Sequence, residues 1–586
     1  MKIMNQKIFK LLLGFGIVLV SLSCEDDFES VPVEDFTLDF VFSSTDSLGT
    51  QAKKYLNSVY SQMESGHNRI DKGLFGSGDY LDAATDDAIS SSLDQNSATL
   101  RLATGRYTAA SGVNGEMQWG YYYEGISSAS TFITNIDRVP LRGNVIGAAG
   151  SFRLRSAWKA EAKFIRALHY FELLKRFGGV PIVGDEPRKL GDDLELPRNT
   201  FQETVDYIVS ELNSIRDSLR IRPVANAASE GHVVTKGAAL ALKARVLLYA
   251  ASPLFNGGNI DSGNELTGYA GYDIERWKMA ADAATEFMDD LPYYALNPDF
   301  ANVFTTEGNT EVIFFRQGSE NTEVEINNGP VGFSAPNDGK GRTSPTQNLV
   351  EAYPMLDGKE IGDPTSVYTY NPLDPYAFRD PRLDKTVLHN ASQWLNTQLE
   401  TFQGGAHNPN SAIQKTKTSY YLRKFMGNFE ESSSYANVSH DWVMFRYAEI
   451  LLDFAEAQNE YAGPSTDVYQ VLIDLRARAG IEAGENGMYG LMENMSQDEM
   501  REAIHKERRL EMAFEEQRFW DIRRWKIGDE VYNQPFRGLV ITQSGPVLNY
   551  NIVEVLNPTF EERRYLFPIP YEEVINNDNM VQNPGW

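Results

Sequence analysis

The chain has 586 residues, is 42% hydrophobic, and carries 54 basic against 81 acidic residues for a net charge of −27. That length supports a large core and more than one structural unit. The charge excludes nucleic acid, which needs a basic face, and anionic lipid headgroups as partners. With seven His and one Cys, and no His-Glu-x-x-His pair, phosphate loop or Gly-x-Ser-x-Gly elbow, no standard catalytic motif is present.

In chain order, Lys2, Lys7 and Lys10 precede an apolar run at 11–22 and then Ser23-Cys24. A basic start, an apolar run of about a dozen residues and a small residue at the cut make a secretory signal. The run is too short to span a bilayer. Ending in Leu-Ser-Cys, residues 1–23 read as a lipoprotein signal peptide and Cys24 as the lipid attachment site. The alternative is an ordinary signal with a chance cysteine. A single Cys in an exported chain makes no internal disulfide. Residues 24–48, acidic and containing Pro32, suit a tether, and the acidic balance itself offers a plain reading of Glu25-Asp26-Asp27-Phe28-Glu29 as solvated chain.

Periodicity predicts helices over 50–64, 117–138, 152–177, about 200–220, 235–251 and 275–290, so 49–292 is a helical part. Between the first two, Gly73, Gly76 and Gly78 precede a loop rich in carboxylates, with Tyr80, Asp82, Asp86 and Asp87. Such a loop offers oxygen ligands to Ca²⁺ or to sugar hydroxyls, but it lacks the twelve-residue calcium-loop spacing, and no cofactor is predicted. At 119–123 four aromatics, Trp119 and Tyr121 to Tyr123, fall within five positions. A helix turning about 100° per residue cannot put all four on one stripe, so some face elsewhere. In 152–177, Ala157, Ala160, Ala162 and Ala167 lie between large residues, which allows close helix approach. Repeating helices at intervals of roughly 35–40 residues suggest tetratricopeptide-like pairs.

From 293 to 440 Pro, Gly, Asn and Asp cluster around short β-like runs at 311–316, 385–389 and 420–425, which reads as a loop-rich insertion. The helical pattern returns at 446–457, 468–479 and 497–525 within a C-terminal scaffold part at 441–526, and 527–586 reads as an extended tail. Glu507, Arg508, Arg509, Glu511, Glu515, Arg518, Asp521, Arg523 and Arg524 in the last helix are spaced for ion pairs and loop clamps, since Arg rarely acts as an acid or base.

These segments together resemble the SusD/RagB family: the lipobox, 164–183, the 241–255 run ending Ala251-Ser252-Pro253-Leu254-Phe255, Arg379-Asp380-Pro381-Arg382, 446–457, 507–525, Phe567-Pro568-Ile569-Pro570 and Gln582-Asn583-Pro584-Gly585-Trp586. The acidic residues after Cys24 also resemble the tag by which Bacteroidota send lipoproteins to the outer face of the outer membrane. The resemblance implies a mainly α fold of tetratricopeptide-like helix pairs carrying an irregular insertion with short strands. It implies a surface-exposed, lipid-anchored outer-membrane protein that binds oligosaccharide or polysaccharide and delivers it to a SusC-like TonB-dependent transporter, and it implies no enzyme. The rivals are a peptide-capturing member of the family, a helical-repeat scaffold acting only through partner contacts, and a glycoside hydrolase with a paired carboxylate site.

Sugar capture requires an aromatic platform flanked by polar side chains. Of the eight Trp, Trp158, Trp277, Trp442, Trp520 and Trp525 fall in periodic or β-like elements and Trp586 in the tail motif, which leaves Trp119 and Trp394 as platform candidates. Asp82, Asp86 and Asp87 are the expected hydroxyl partners, with Tyr80, Tyr122 and Phe333 as further candidates.

Overall fold

A computed structural model describes residues 37–67, 79–113, 116–147, 150–188, 191–192, 195–221 and 232–586. The signal segment, Cys24, Gly73, Gly76, Gly78 and the tether up to residue 36 lie outside the described residues. Among the described residues no helix is long and apolar enough to cross a membrane.

The scaffold is helical. Its long helices are α1 (Thr50–Ser61), α2 (Trp119–Asn135), α3 (Leu154–Phe177), α4 (Phe201–Ile215), α5 (Lys236–Ala251), α6 (Glu275–Asp290), α7 (Tyr447–Ala462), α8 (Thr466–Ala479) and α9 (Gln497–Glu511), followed by the shorter α10 (Gln517–Arg524). Each packs on its sequence neighbour through α2–α3–α4–α5–α6, and α6 then packs on α7, across the whole insertion. The short alanines of α3 and α5 are buried and let these helices lie close to their neighbours. Ends are set locally. Thr200 with Glu203 and Ser496 with Glu499 form capping boxes on α4 and α9, which satisfy orphan backbone N–H groups at each start.

Residues 497–525 do not form one helix. The chain breaks between α9 and α10, where Phe514 and Glu516 both take φ of 65°, a left-handed conformation that costs about 1–2 kcal/mol per non-glycine residue. Asp82 stabilises the break: its carboxyl oxygens accept from the backbone N–H of Phe514 at 3.0 Å and of Glu516 at 3.3 Å.

The insertion builds a second hydrophobic core of its own, around Leu349, Tyr353, Val387, Leu399, Tyr421 and Met426. Short two-stranded ladders tie it down. Strand β1 (Ala88–Ser90) pairs antiparallel with β3 (Thr343–Pro345), and β2 (Val312–Arg316) pairs with β4 (Trp442–Arg446), which runs directly into α7. The segment after 526 is more than an extended tail. Phe536–Ser544 (β5) and Val547–Leu556 (β6) form a long hairpin, and β5 lays Leu539 and Ile541 into the insertion core.

Buried ion pairs join insertion to scaffold. Arg446 bonds Glu311, Glu511 and Glu515, each at 2.7 Å. Arg382 bonds Glu507 at 2.6 Å and Asp380 at 2.8 Å, and Arg476 bonds Glu507 at 2.9 Å. The charged residues of 507–525 are therefore cross-links between elements, in keeping with their spacing.

Candidate ligand-binding site

The loop at 79–92 and the insertion form one body. The β1–β3 ladder joins them, Gln414 donates to Ser91 Oγ at 3.0 Å, and Lys417 Nζ donates to the Ser92 carbonyl at 2.9 Å. The loop's carboxylates are spent inside this body. Arg518 holds Asp86 in a two-bond pair at 2.9 and 3.0 Å, and Arg509 reaches Asp86 at 2.8 Å and Asp87 at 2.6 Å. Burial pushes the Asp86 carboxyl up, but the two guanidiniums outweigh it and hold the group at about 2. Asp82 is fully buried, and burial pushes its carboxyl well above the usual range. The expectation that Asp82, Asp86 and Asp87 hold ligand hydroxyls is therefore corrected: they cap a helix break and pair with arginines. Among the described residues no group of three or more His, Cys, Asp or Glu side chains is placed to hold a metal ion.

Trp394 is also corrected. It is 0% exposed, its Nε1 donates to Tyr435 Oη at 3.0 Å, and the Arg423 guanidinium stands 5.1 Å from its ring. It belongs to the insertion core because a loop segment this long folds around its own apolar residues, so a Trp between polar neighbours is recruited inward. Tyr80 and Tyr122 are likewise buried. Tyr80 Oη bonds His67 Nδ1 at 2.8 Å, and Tyr122 Oη donates to Glu64 at 3.0 Å. Trp119 is 4% exposed, packed against Phe177. It lines a surface groove with Tyr123, Pro181 and Arg188.

Phe333 differs. It is half-buried on the insertion core, with its ring 4.8 Å from that of His407. Glycine makes this pairing possible: a Cβ at Gly332, whose φ is +96°, would stand 2.2 Å from the Ala406 carbonyl oxygen. Two further half-buried aromatics, Phe402 and Tyr435, rest on the same core. The backbone N–H of Tyr435 donates to Asn337 at 3.0 Å, which ties the 434–435 turn to the Phe333 loop. Exposed Ser334, Asp338, Asn410 and Ser434 lie in the same loops. Half-buried aromatic rings in loops that also carry exposed Ser, Asn and Asp side chains suit non-covalent capture of a polyhydroxylated ligand. Sequence reading names Phe333 as a candidate but not His407, Phe402 or Tyr435 of the same core and loops. The signals were the glycines at 329, 332, 404 and 405, which mark close loop contacts.

The architecture is that of a helical-repeat scaffold with a loop-rich insertion. A model described as "SusD family" matches residues 310–586, and one described as "Starch-binding associating with outer membrane" matches residues 44–248; the chain belongs to the SusD family. SusD-like protein P2 of Formosa agariphila is 24% identical over 595 residues, covering 98% of this chain and 99% of the relative. A SusD-like protein of Bacteroides fragilis superposes with a TM-score of 0.74 at 24% identity, covering 95% of this chain and 100% of that one. A laminarin-binding SusD-like protein superposes with a TM-score of 0.62 at 19% identity, covering 92% and 99%. These structural likenesses give the fold, whose scaffold is of the tetratricopeptide type.

Proposed function

We propose that this protein is a non-catalytic glycan-binding lipoprotein of the outer membrane, anchored through Cys24, facing outward and passing captured oligosaccharide to a SusC-like TonB-dependent transporter. The observation that carries the ligand reading is the insertion face, where the Phe333 ring lies tilted against that of His407, with 4.8 Å between their centres, and Phe402 and Tyr435 sit half-exposed on the same core. Family membership supports it, as do a family description that combines starch binding with outer-membrane association and a laminarin-binding protein of the same fold. The engagement of Asp86 and Asp87 by arginines favours binding over acid-base chemistry at that loop. Trp119 marks a second groove open to the same kind of ligand.

Calorimetric titration of the chain starting after Cys24 against plant, fungal and host oligosaccharides and a peptide mixture tests this reading. Heat from one glycan class, weakened by Phe333→Ala, supports it. Heat from peptides alone replaces it with peptide capture. Silence from both, with a transporter still co-purifying, leaves a scaffold acting through partner contacts.

A further inference from the structure

A chain with 81 acidic residues offers its cations carboxylates readily, as Glu211 is offered to Arg166 at 2.7 Å and Asp290 to Lys236 at 2.7 Å. Lys53 on α1 and Arg316 at the end of β2 are exceptions. Among the described residues neither has a carboxylate oxygen within 4.0 Å. Both line one pocket of about 270 Å³, set between α1, the segment leading into α5 and the end of β2, and no acidic side chain lines it among the described residues.

Local structure puts the two cations there. Lys53, Asn57, Tyr60 and Ser61 stand at positions i, i+4, i+7 and i+8 of α1, so one face of that helix makes a wall of the pocket. The Lys53 ammonium lies 5.9 Å from the centre of the Tyr60 ring and 5.4 Å from that of Trp158, aromatic faces in place of a counter-ion. Arg316 spends only its Nε, which donates to the Met63 carbonyl at 2.6 Å. That bond orients the guanidinium and leaves its two terminal nitrogens, a fork that matches two oxygens of a carboxylate or a sulfate.

Neutral groups complete the lining. The Tyr60 hydroxyl is held inside the scaffold, where it accepts from the Val234 N–H at 3.0 Å and donates to Glu161 at 3.0 Å. What its ring offers the pocket is therefore apolar carbon, and Met63 adds more. Asn57 and Ser61, both exposed, carry donors and acceptors for hydroxyl groups. An apolar face, neutral hydrogen-bonding side chains and two cations without counter-ions suit a sugar that bears an acidic group.

We infer that this pocket is a second binding site, for an anionic sugar unit whose carboxylate or sulfate ester is taken by Lys53 and Arg316. The inference rests on the glycan reading given above and adds a charge requirement to it, at a place that shares no residue with the insertion face.

Calorimetry and saturation-transfer NMR of the chain starting after Cys24 with glucuronate, glucose 6-sulfate and glucose test it. At least one of the two acidic sugars is expected to bind about tenfold or more tightly than glucose, the tighter one identifying the anion, and its affinity is expected to fall as salt is raised. Lys53→Gln and Arg316→Gln are each expected to weaken that binding about tenfold through loss of a charge-assisted contact, with Arg316→Lys in between and Phe333→Ala unchanged. Thermal melts identify variants that fold. Acidic sugars that bind the folded wild type no better than glucose, or that bind wild type, Lys53→Gln and Arg316→Gln equally, overturn the site. If neutral oligosaccharide heat at the insertion face persists in that case, the proposed function stands without it, whereas silence from every glycan, acidic or neutral, removes both.

Discussion

Replacing Trp394 and Phe333 separately distinguishes a core residue from a platform. Trp394 is fully buried, packed edge-on against Phe429 at 6.0 Å and bonded to Tyr435. Truncation to Ala leaves a large cavity and costs about 3–5 kcal/mol of stability. Trp394→Phe keeps most of the volume and loses one hydrogen bond, for about 1 kcal/mol. Phe333→Ala removes a half-exposed ring and costs little stability, but it removes a stacking face, with an expected loss of about 1–2 kcal/mol in glycan binding, a five- to thirtyfold rise in Kd. Denaturant melts and calorimetry on the same preparations read both quantities. A Trp394→Ala protein that melts like wild type yet no longer binds glycan would refute the assignment of Trp394 to the core.

Other perturbations follow from buried charge. Asp79 accepts from Thr99 at 2.5 Å, and burial pushes its carboxyl up to about 7, with Ser90 and Thr99 offsetting part of the effect. Between about pH 4 and 7 the folded state keeps a proton that the unfolded chain has released, so stability from this group falls as pH rises through that window, by about 4 kcal/mol. Asp79→Asn is expected to flatten that part of the pH–stability curve, and a wild-type slope retained in the variant would exclude Asp79 as its source. Arg446→Met takes one buried cation away from Glu311, Glu511 and Glu515, which keep Arg478, Arg382 and Lys424, and is expected to cost about 3–5 kcal/mol in chemical denaturation; a loss under about 1 kcal/mol would mean that these remaining partners suffice. Cys24→Ser is expected to move the protein from the membrane pellet to the soluble fraction, and continued pelleting would exclude lipidation there as the anchor.

The scaffold was legible because its helices bury one face over several turns. The predicted 275–290 helix coincides with α6, and 152–177 differs from α3 only at its start. Local signals failed where distant residues decide the conformation. The 497–525 run is helical by composition throughout, and what breaks it at Phe514 and Glu516 is accompanied by a carboxyl from Asp82, far away in sequence. The β5–β6 hairpin was missed because no residue of its outer strand is fully buried, so that strand shows no core-facing side. At the candidate site, Phe333 stood among the further aromatic candidates in the sequence, and the structure leaves its ring half-buried on the insertion core. Trp394 was misread because a polar neighbourhood in sequence says nothing of the apolar core that the insertion assembles around it.

The last residues of the chain are held by its first third. Arg198 bonds Asn583 Oδ1 and the Val581 carbonyl, each at 2.9 Å, Asn583 bonds the Phe177 carbonyl at 3.0 Å, and the Phe567 N–H donates to the Arg176 carbonyl at 2.8 Å. This clasp, like a belt through its buckle, joins residues 385 positions apart in sequence, so its bonds form only once the loop between them has been closed at an entropic cost.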